Sequence, residues 1–167
     1  MSDKIEQIIK GKSVKKEYNI KELCEKLVPV YKYPFQNLEL TDIKEENWLD
    51  YPNLKEIITL YNPNHYVGKK YHEIQELKIS DLGRVKVKYK NNVYEILAQS
   101  DDIEYGYLRL PKFPGFGYVY RLVADTWVEN TDKKKRNIVH HINNDGYNNE
   151  AKNLIWVTAE EHAKIHS

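Results

Sequence analysis

Residues 137–167, NIVHHINNDGYNNEAKNLIWVTAEEHAKIHS, constrain the fold more than any other part of the chain. They hold four of the six histidines as two pairs: adjacent His140 and His141, then His162 and His166. Between the pairs, Asn143 to Asn149 is a turn-rich run around the dipeptide Asp145-Gly146. The flanks Asn137–Ile142 and Leu154–Thr158 are short and rich in β-branched or aromatic residues, which predicts two strands. Thr158 followed three residues later by Glu161 matches a capping box, so a helix is expected to begin at Glu160 or just before it. The predicted order is strand, loop, strand, helix.

On that helix His162 and His166 are four residues apart and share one face. Two imidazoles so spaced can grip one divalent metal. A third ligand can come from the strand, through His140 or His141. Neighbouring strand residues point to opposite faces, so a regular strand offers only one of them to the metal. The other needs a bend at the strand end. The plainer alternative is a solvated histidine pair on a surface helix, after an ordinary Asn-rich turn.

With these residues and spacings the stretch resembles the HNH nucleases, the ββα-metal or His-Me finger group. The motif falls at His141, Asn153 and His162, with separations of twelve and nine residues. Asn153-Leu154 before a strand, then Trp156-Val157-Thr158, is similar to phage-type members. The resemblance implies that His141 is the general base that activates water and that Asn153 holds the loop to orient it. It implies that His140, His162 and His166 ligate one divalent metal. Many phage and intron members carry Asp or Asn at the first position and Asn on the helix. The histidine set here is more similar to bacterial toxin nucleases. Mg²⁺, Mn²⁺, Ni²⁺ and Zn²⁺ are all candidates, and imidazole ligands favour a transition metal.

A chain of 167 residues, 41% hydrophobic and 31% charged, suits a globular protein of one domain or two small ones. It has no apolar run of membrane-spanning length and no signal peptide at its start, so a cytoplasmic protein of a bacterial or phage-infected cell is expected. Its single cysteine, Cys24, excludes an internal disulfide and is read as a small buried residue on a helix. The net charge of +1 announces no nucleic-acid partner, so any basic footprint must be local.

Residues 1–66 read as a helical region of unknown role. Ile5, Ile8 and Ile9 predict a helix over residues 2–10, and Ile20, Leu23, Cys24, Leu27 and Val28 another over 19–28. Residues 38–49 and 53–61 are further short helical candidates. Packing on the core, contact with DNA, and contact with a second copy as a homodimer all stay open for this region. His65 and His72 have no partner at ligand spacing and read as surface residues.

Residues 67–115 read as a small β region. Strands are expected over Glu76–Ser80 and Arg84–Lys90, with Gly83 supplying a positive φ in the turn between them. Alternation puts Arg84, Lys86, Lys88 and Lys90 on one face and Val85, Val87 and Tyr89 on the other. A solvated, lysine-protected edge is one reading, and phosphate contact the other. Asn91-Asn92 is a turn candidate. Tyr105, Tyr107, Tyr118 and Tyr120 alternate as along strands, so some should be core. Lys133, Lys134, Lys135 and Arg136 form a basic loop just before the histidine strand.

This region also carries a resemblance. Lys78 to Val85 (KISDLGRV), Tyr105 to Leu110 (YGYLRL) and Tyr120 to Ala124 (YRLVA) with Trp127 and Asn130 are similar, in this order, to a small β-domain and leading helix found before HNH modules in phage and intron endonucleases. The resemblance covers over half the chain. It implies an α+β protein: residues 1–66, a DNA-binding-like β region over 67–115, and an HNH nuclease module over 116–167. It implies a metal-dependent endonuclease on double-stranded DNA. The residues themselves offer Arg84, Lys86, Lys88 and Lys90 on one strand face, with Arg121 and Arg136, as candidate phosphate contacts. Alternatives are a DNA-binding protein with a structural metal and no turnover, or a nuclease acting on RNA.

Overall fold

An antiparallel hairpin opens the chain: β1 (Lys4–Ile9) pairs with β2 (Val14–Asn19). The computed structural model describes residues 4–11, 14–24, 33–102 and 104–167. The helix expected over residues 2–10 is therefore corrected to a strand. Ile5, Gln7 and Ile9 point inward and Lys4 and Glu6 outward, a period of two that polar Gln7 disguises. Buried Gln7 is satisfied because its amide Nε2 donates to the carbonyls of Leu154 at 2.7 Å and Lys152 at 3.0 Å. Of the second expected helix only a 3₁₀ turn, Glu22–Cys24, lies in the described residues, and residues 25–28 and the Cys24 side chain fall outside them.

The helix expected over residues 38–49 does not form either. This segment wraps around the guanidinium of Arg84, which takes the carbonyls of Asn37, Glu39 and Thr41, and it ends in β3 (Trp48–Asp50). Carbonyls turned toward a side chain are not free to accept helical N–H groups. Helix α1 (Leu54–Ile58) forms where expected, after Asn53. Helix α2 (Tyr66–His72) has no counterpart among the expected elements; its buried Gly68 sits against the Asn62 backbone, where a Cβ would collide with the carbonyl oxygen.

Next comes a four-stranded antiparallel sheet in the order β3, β4 (Ile74–Ser80), β5 (Val85–Tyr89), β6 (Tyr94–Ile96). Gly83 has the expected positive φ, +95°, in the β4–β5 turn. The β5–β6 turn falls at the expected place, with Asn92 left-handed at φ 64°. A short pair, β7 (Ser100–Asp102) and β8 (Tyr107–Arg109), precedes helix α3 (Val119–Trp127). Tyr120 thus lies on a helix, which corrects the strand alternation expected through Tyr118 and Tyr120. Exposed Tyr105 is not core.

The C-terminal part follows the predicted order: β9 (Ile138–His141), loop, β10 (Leu154–Val157), α4 (Ala159–Ile165). The capping box is complete. Thr158 Oγ1 accepts from the Glu161 N–H at 3.0 Å and Glu161 Oε1 accepts from the Thr158 N–H at 2.9 Å.

All four residues of β10 are buried because both faces of the β9–β10 hairpin are covered. Leu154 and Trp156 join the main core with α3 and the four-stranded sheet. Ile155 and Val157 join a second cluster with Ile5, Tyr18, Leu23 and Ile165, between the N-terminal hairpin and α4. Each such aliphatic side chain contributes roughly 1.5–3 kcal/mol through burial. The fold is α+β with small antiparallel sheets. Among the described residues no helix is long and apolar enough to cross a membrane.

Candidate metal centre and its neighbouring histidine

The covered faces of β9–β10 decide where the adjacent histidines look. His140 pairs with Ile155 and His141 with Leu154, and directly opposed residues share a face. His140 therefore looks toward the second cluster and α4, whereas His141 looks toward the main core.

His140, His162 and His166 converge: each offers a ring nitrogen, and these atoms all lie within 4.8 Å of one another. The burial is graded, with His140 buried, His162 half-buried and His166 exposed. His140 Nε2 lies 3.1 Å from the Leu23 carbonyl. A carbonyl only accepts, so Nε2 carries the proton and Nδ1 keeps the lone pair. Such a backbone partner is what orients a metal-binding imidazole. Burial pushes the His140 imidazole down to about 4, helped by repulsion from His166 and His162. Burial, then His166, also lowers His162. Neutral imidazoles with free lone pairs suit a first-row divalent ion. Two nitrogens on one ion are at most about 4.2 Å apart. The three nitrogens thus lie close to the spacing that a single ion sets.

His141 occupies a separate, aromatic niche. It is 7% exposed, stacked on Tyr107 with ring centres 5.7 Å apart, and met edge-on by Tyr120 at 5.1 Å. Its Nε2 lies 2.9 Å from Asn149 Oδ1, which accepts the Nε2 proton and leaves Nδ1 with the lone pair. Burial lowers the basicity of His141, against the opposing pull of Asn149 and Asp145. Asn149 is itself buried, and its Nδ2 has no hydrogen-bond partner among the described residues. The β4–β5 turn packs on it. A Cβ on Gly83 would stand 3.1 Å from the Asn149 carbonyl oxygen.

Asn153 holds the loop between the two strands. Its Nδ2 donates to Asn143 Oδ1 at 3.0 Å and to the Asn148 carbonyl at 2.8 Å, while its Oδ1 accepts from the Asn143 N–H at 3.1 Å. Asn144, at φ 61°, takes the left-handed position in this loop. Gly146 serves a different need, since a Cβ there would collide with the Gly106 carbonyl oxygen. Asp145, beside His141, accepts a hydrogen bond from the Tyr33 hydroxyl.

The basic residues divide. Arg84 does not share an exposed face with the lysines: it is fully buried in an ion pair with Glu46, which corrects its expected role in phosphate contact. Burial of both partners removes the guanidinium from any surface. Arg136 is part-exposed and engaged, with Nη1 donating to Glu161 Oε1 at 2.7 Å and to the Trp156 carbonyl at 3.3 Å. Lys88 lies 3.9 Å from Glu76, and the Lys86 ammonium sits over the Trp48 ring at 4.2 Å. Lys90 is beyond the end of β5 and faces α2. Arg121 stacks on Trp156 at 4.8 Å and donates to the Asn137 carbonyl at 3.0 Å; it lines a cleft with Lys10 and Lys133. Of the remaining histidines, His65 is exposed and His72 is half-buried, its Nε2 2.8 Å from the Tyr61 carbonyl.

Sequence reasoning missed Asn149, the Leu23 carbonyl and the Tyr107–Tyr120 niche. A backbone carbonyl carries no sequence signal. Nothing local separates Asn149 from its neighbour Asn148, which offers only its backbone carbonyl to Asn153.

Over 93 residues, 54% of this chain, the sequence is 38% identical to a protein of Acanthamoeba polyphaga mimivirus named an uncharacterized HNH endonuclease. The match covers 23% of that protein, so the chain spans about a quarter of its length. No family model matches the chain, and no solved structure matches it. The chain is similar in sequence to a protein named for HNH endonuclease activity, and it carries a three-histidine cluster fit for a divalent metal.

Proposed function

We propose that this chain is a metal-dependent endonuclease that hydrolyses DNA phosphodiester bonds through an HNH-type, ββα-metal site. The convergence of His140, His162 and His166, with His141 next on the strand, carries this reading. The name of the mimivirus relative supports it.

In this reading His140, His162 and His166 hold one divalent ion. When bound, the ion supplies positive charge that stabilises the phosphate and the leaving oxygen. His141 is the general base: burial keeps it neutral, Asn149 holds the proton on Nε2, and Nδ1 is free to take a proton from water. Asn153 ties the loop that carries Asn149 and Asp145. Lys86, Lys88, Arg121 and Arg136 remain candidates for phosphate contact; buried Arg84 is withdrawn from that role. Double-stranded DNA is the proposed substrate, and the β region of residues 67–115 the proposed DNA-binding region.

A second reading has one observation in its favour. His141 is nearly sealed by Tyr107 and Tyr120 and looks away from the cluster, as suits a DNA-binding protein with a structural metal and no turnover. Supercoiled plasmid separates the two. Wild type and His141→Ala are incubated with Mg²⁺, Mn²⁺, Ni²⁺, Zn²⁺ or EDTA, beside an RNA substrate. Wild type is expected to cleave the plasmid, and His141→Ala to cleave it slower by on the order of 10²–10⁴-fold with metal binding intact. Wild-type-like cleavage by the variant removes His141 as the base. Metal binding without cleavage under any ion favours the structural reading.

A further inference from the structure

One face of α2 is unlike the rest of the surface. Tyr66, Lys69, Lys70 and Glu73 recur at i, i+3, i+4 and i+7, along one side of the helix. The other side carries buried Gly68 and Tyr71. Opposite the first face stand Tyr89, Lys90 and Asn91 at the end of β5, and Lys112. Together these residues line a cleft of about 710 Å³, in the size range of sites that enclose a nucleotide-sized ligand.

The walls are fixed. The Lys90 N–H donates to the Glu73 carbonyl at 2.8 Å, tying the strand end to the helix. Lys70 Nζ donates to the Lys112 carbonyl at 2.8 Å and lies over the Phe113 ring. The Lys112 ammonium is held by Glu95 at 2.8 Å and lies over the Tyr89 ring at 5.1 Å. Lys69 and Lys90 are exposed and have no ion-pair partner among the described residues. Tyr66, at the rim, is 92% exposed, and the next residue, Val67, is 57% exposed.

The chain as a whole is almost neutral, at +1, yet four lysines face this cleft against one lining carboxylate, Glu73, and the Glu95 carboxylate that holds Lys112. Crowded like charges repel, and an anionic occupant reverses the sign of that energy. An acidic peptide would meet the lysines but leave Tyr66 without a role. A nucleic-acid strand uses both, since its phosphates meet the ammonium groups and a base stacks on the ring. Stacking on a side chain requires a base that is not already stacked in a duplex. We infer that this cleft binds single-stranded nucleic acid, with phosphates against Lys69, Lys70 and Lys90 and an unpaired base on Tyr66. The cleft shares no lining residue with the histidine cluster, and the inference holds whether or not the chain cleaves.

Fluorescence anisotropy in EDTA tests it without any contribution from cleavage. The probes are a short labelled oligo(dT) and a hairpin duplex of similar charge, titrated over salt, with polyglutamate as competitor. The substituted side chains are exposed, and circular dichroism checks that each variant is folded. Tyr66→Ala is expected to weaken oligo(dT) binding roughly 5- to 100-fold and to leave the duplex unchanged. Lys69→Ala/Lys90→Ala is expected to lower the oligo(dT) salt slope by about 1.4, near 0.7 for each phosphate that no longer meets a lysine. Unchanged oligo(dT) affinity in Tyr66→Ala, or an unchanged slope in the double variant, overturns the inference. Equal weakening on duplex and oligo(dT) in Tyr66→Ala overturns it too, as does displacement by polyglutamate at equal charge concentration.

Discussion

Arg84 is fully buried, and every one of its five N–H donors is used. Nε donates to Glu46 Oε2 at 2.8 Å and Nη2 to Glu46 Oε1 at 2.5 Å. Nη2 also reaches the Thr41 carbonyl at 3.0 Å, and Nη1 reaches the carbonyls of Asn37 at 3.1 Å and Glu39 at 2.7 Å. Arg84→Ala removes all five bonds and leaves the Glu46 carboxylate, 8% exposed, without its counter-charge. Breaking a buried pair from one side costs about 3–5 kcal/mol. For a chain of this size that corresponds to a drop in Tm of about 6–20 °C. Arg84→Lys should fall between, since an ammonium has three donors and cannot grip both carboxylate oxygens in the same fork. Replacing both partners, Arg84→Met with Glu46→Leu, removes both charges and should cost less than Arg84→Ala alone. Urea unfolding followed by circular dichroism, run as a double-mutant cycle, measures each. Arg84→Ala within about 1 kcal/mol of wild type would refute the claim that this pair organises residues 37–46.

Calorimetry with Ni²⁺ or Zn²⁺ should show tight binding abolished in His162→Ala and weakened in His166→Ala, which sits at the exposed end of α4; unchanged affinity in His162→Ala removes the helix from the metal site. Burial holds His140 to about 4 in the fold, against about 6.5 when unfolded, so its neutral form stabilises the protein fully above pH 6.5 and that stability drains away as pH falls toward 4. The decrease is about 3 kcal/mol, read from urea midpoints in EDTA at neutral and acid pH, and His140→Gln should flatten it; a slope equal in wild type and variant shows the linkage is wrong. Metal affinity should also fall at acid pH, because protonated imidazole does not ligate. Gly83→Ala forces a Cβ at φ +95° to within 3.1–3.3 Å of Asn149 and should cost about 1–3 kcal/mol; a thermal melt like that of wild type contradicts the close approach.

The C-terminal order of strand, loop, strand and helix is legible in the sequence because it rests on short-range rules. A hydroxyl and a carboxylate three residues apart cap a helix, and two histidines four apart share its face, whatever surrounds them. Gly83 in its turn is legible for the same reason. Alternation along β5 correctly sets Arg84 apart from Val85, but it says only that faces differ, not which face is wet. Residues 37–46 cover the side carrying Arg84 and make it a buried anchor. The N-terminal strand reads as a helix because inward-facing Gln7 is polar, and its burial is stabilised only by carbonyls in and just before β10, far along the chain. Sequence can say that His140 and His141 diverge, and it cannot say which one meets α4. That choice follows from the two apolar clusters on either side of β9–β10, and from the Leu23 carbonyl, 117 residues away, that holds the His140 ring. Local spacing sets which side chains travel together; which solvent, partner or metal they meet depends on segments brought together only when the apolar surfaces of the whole chain are buried.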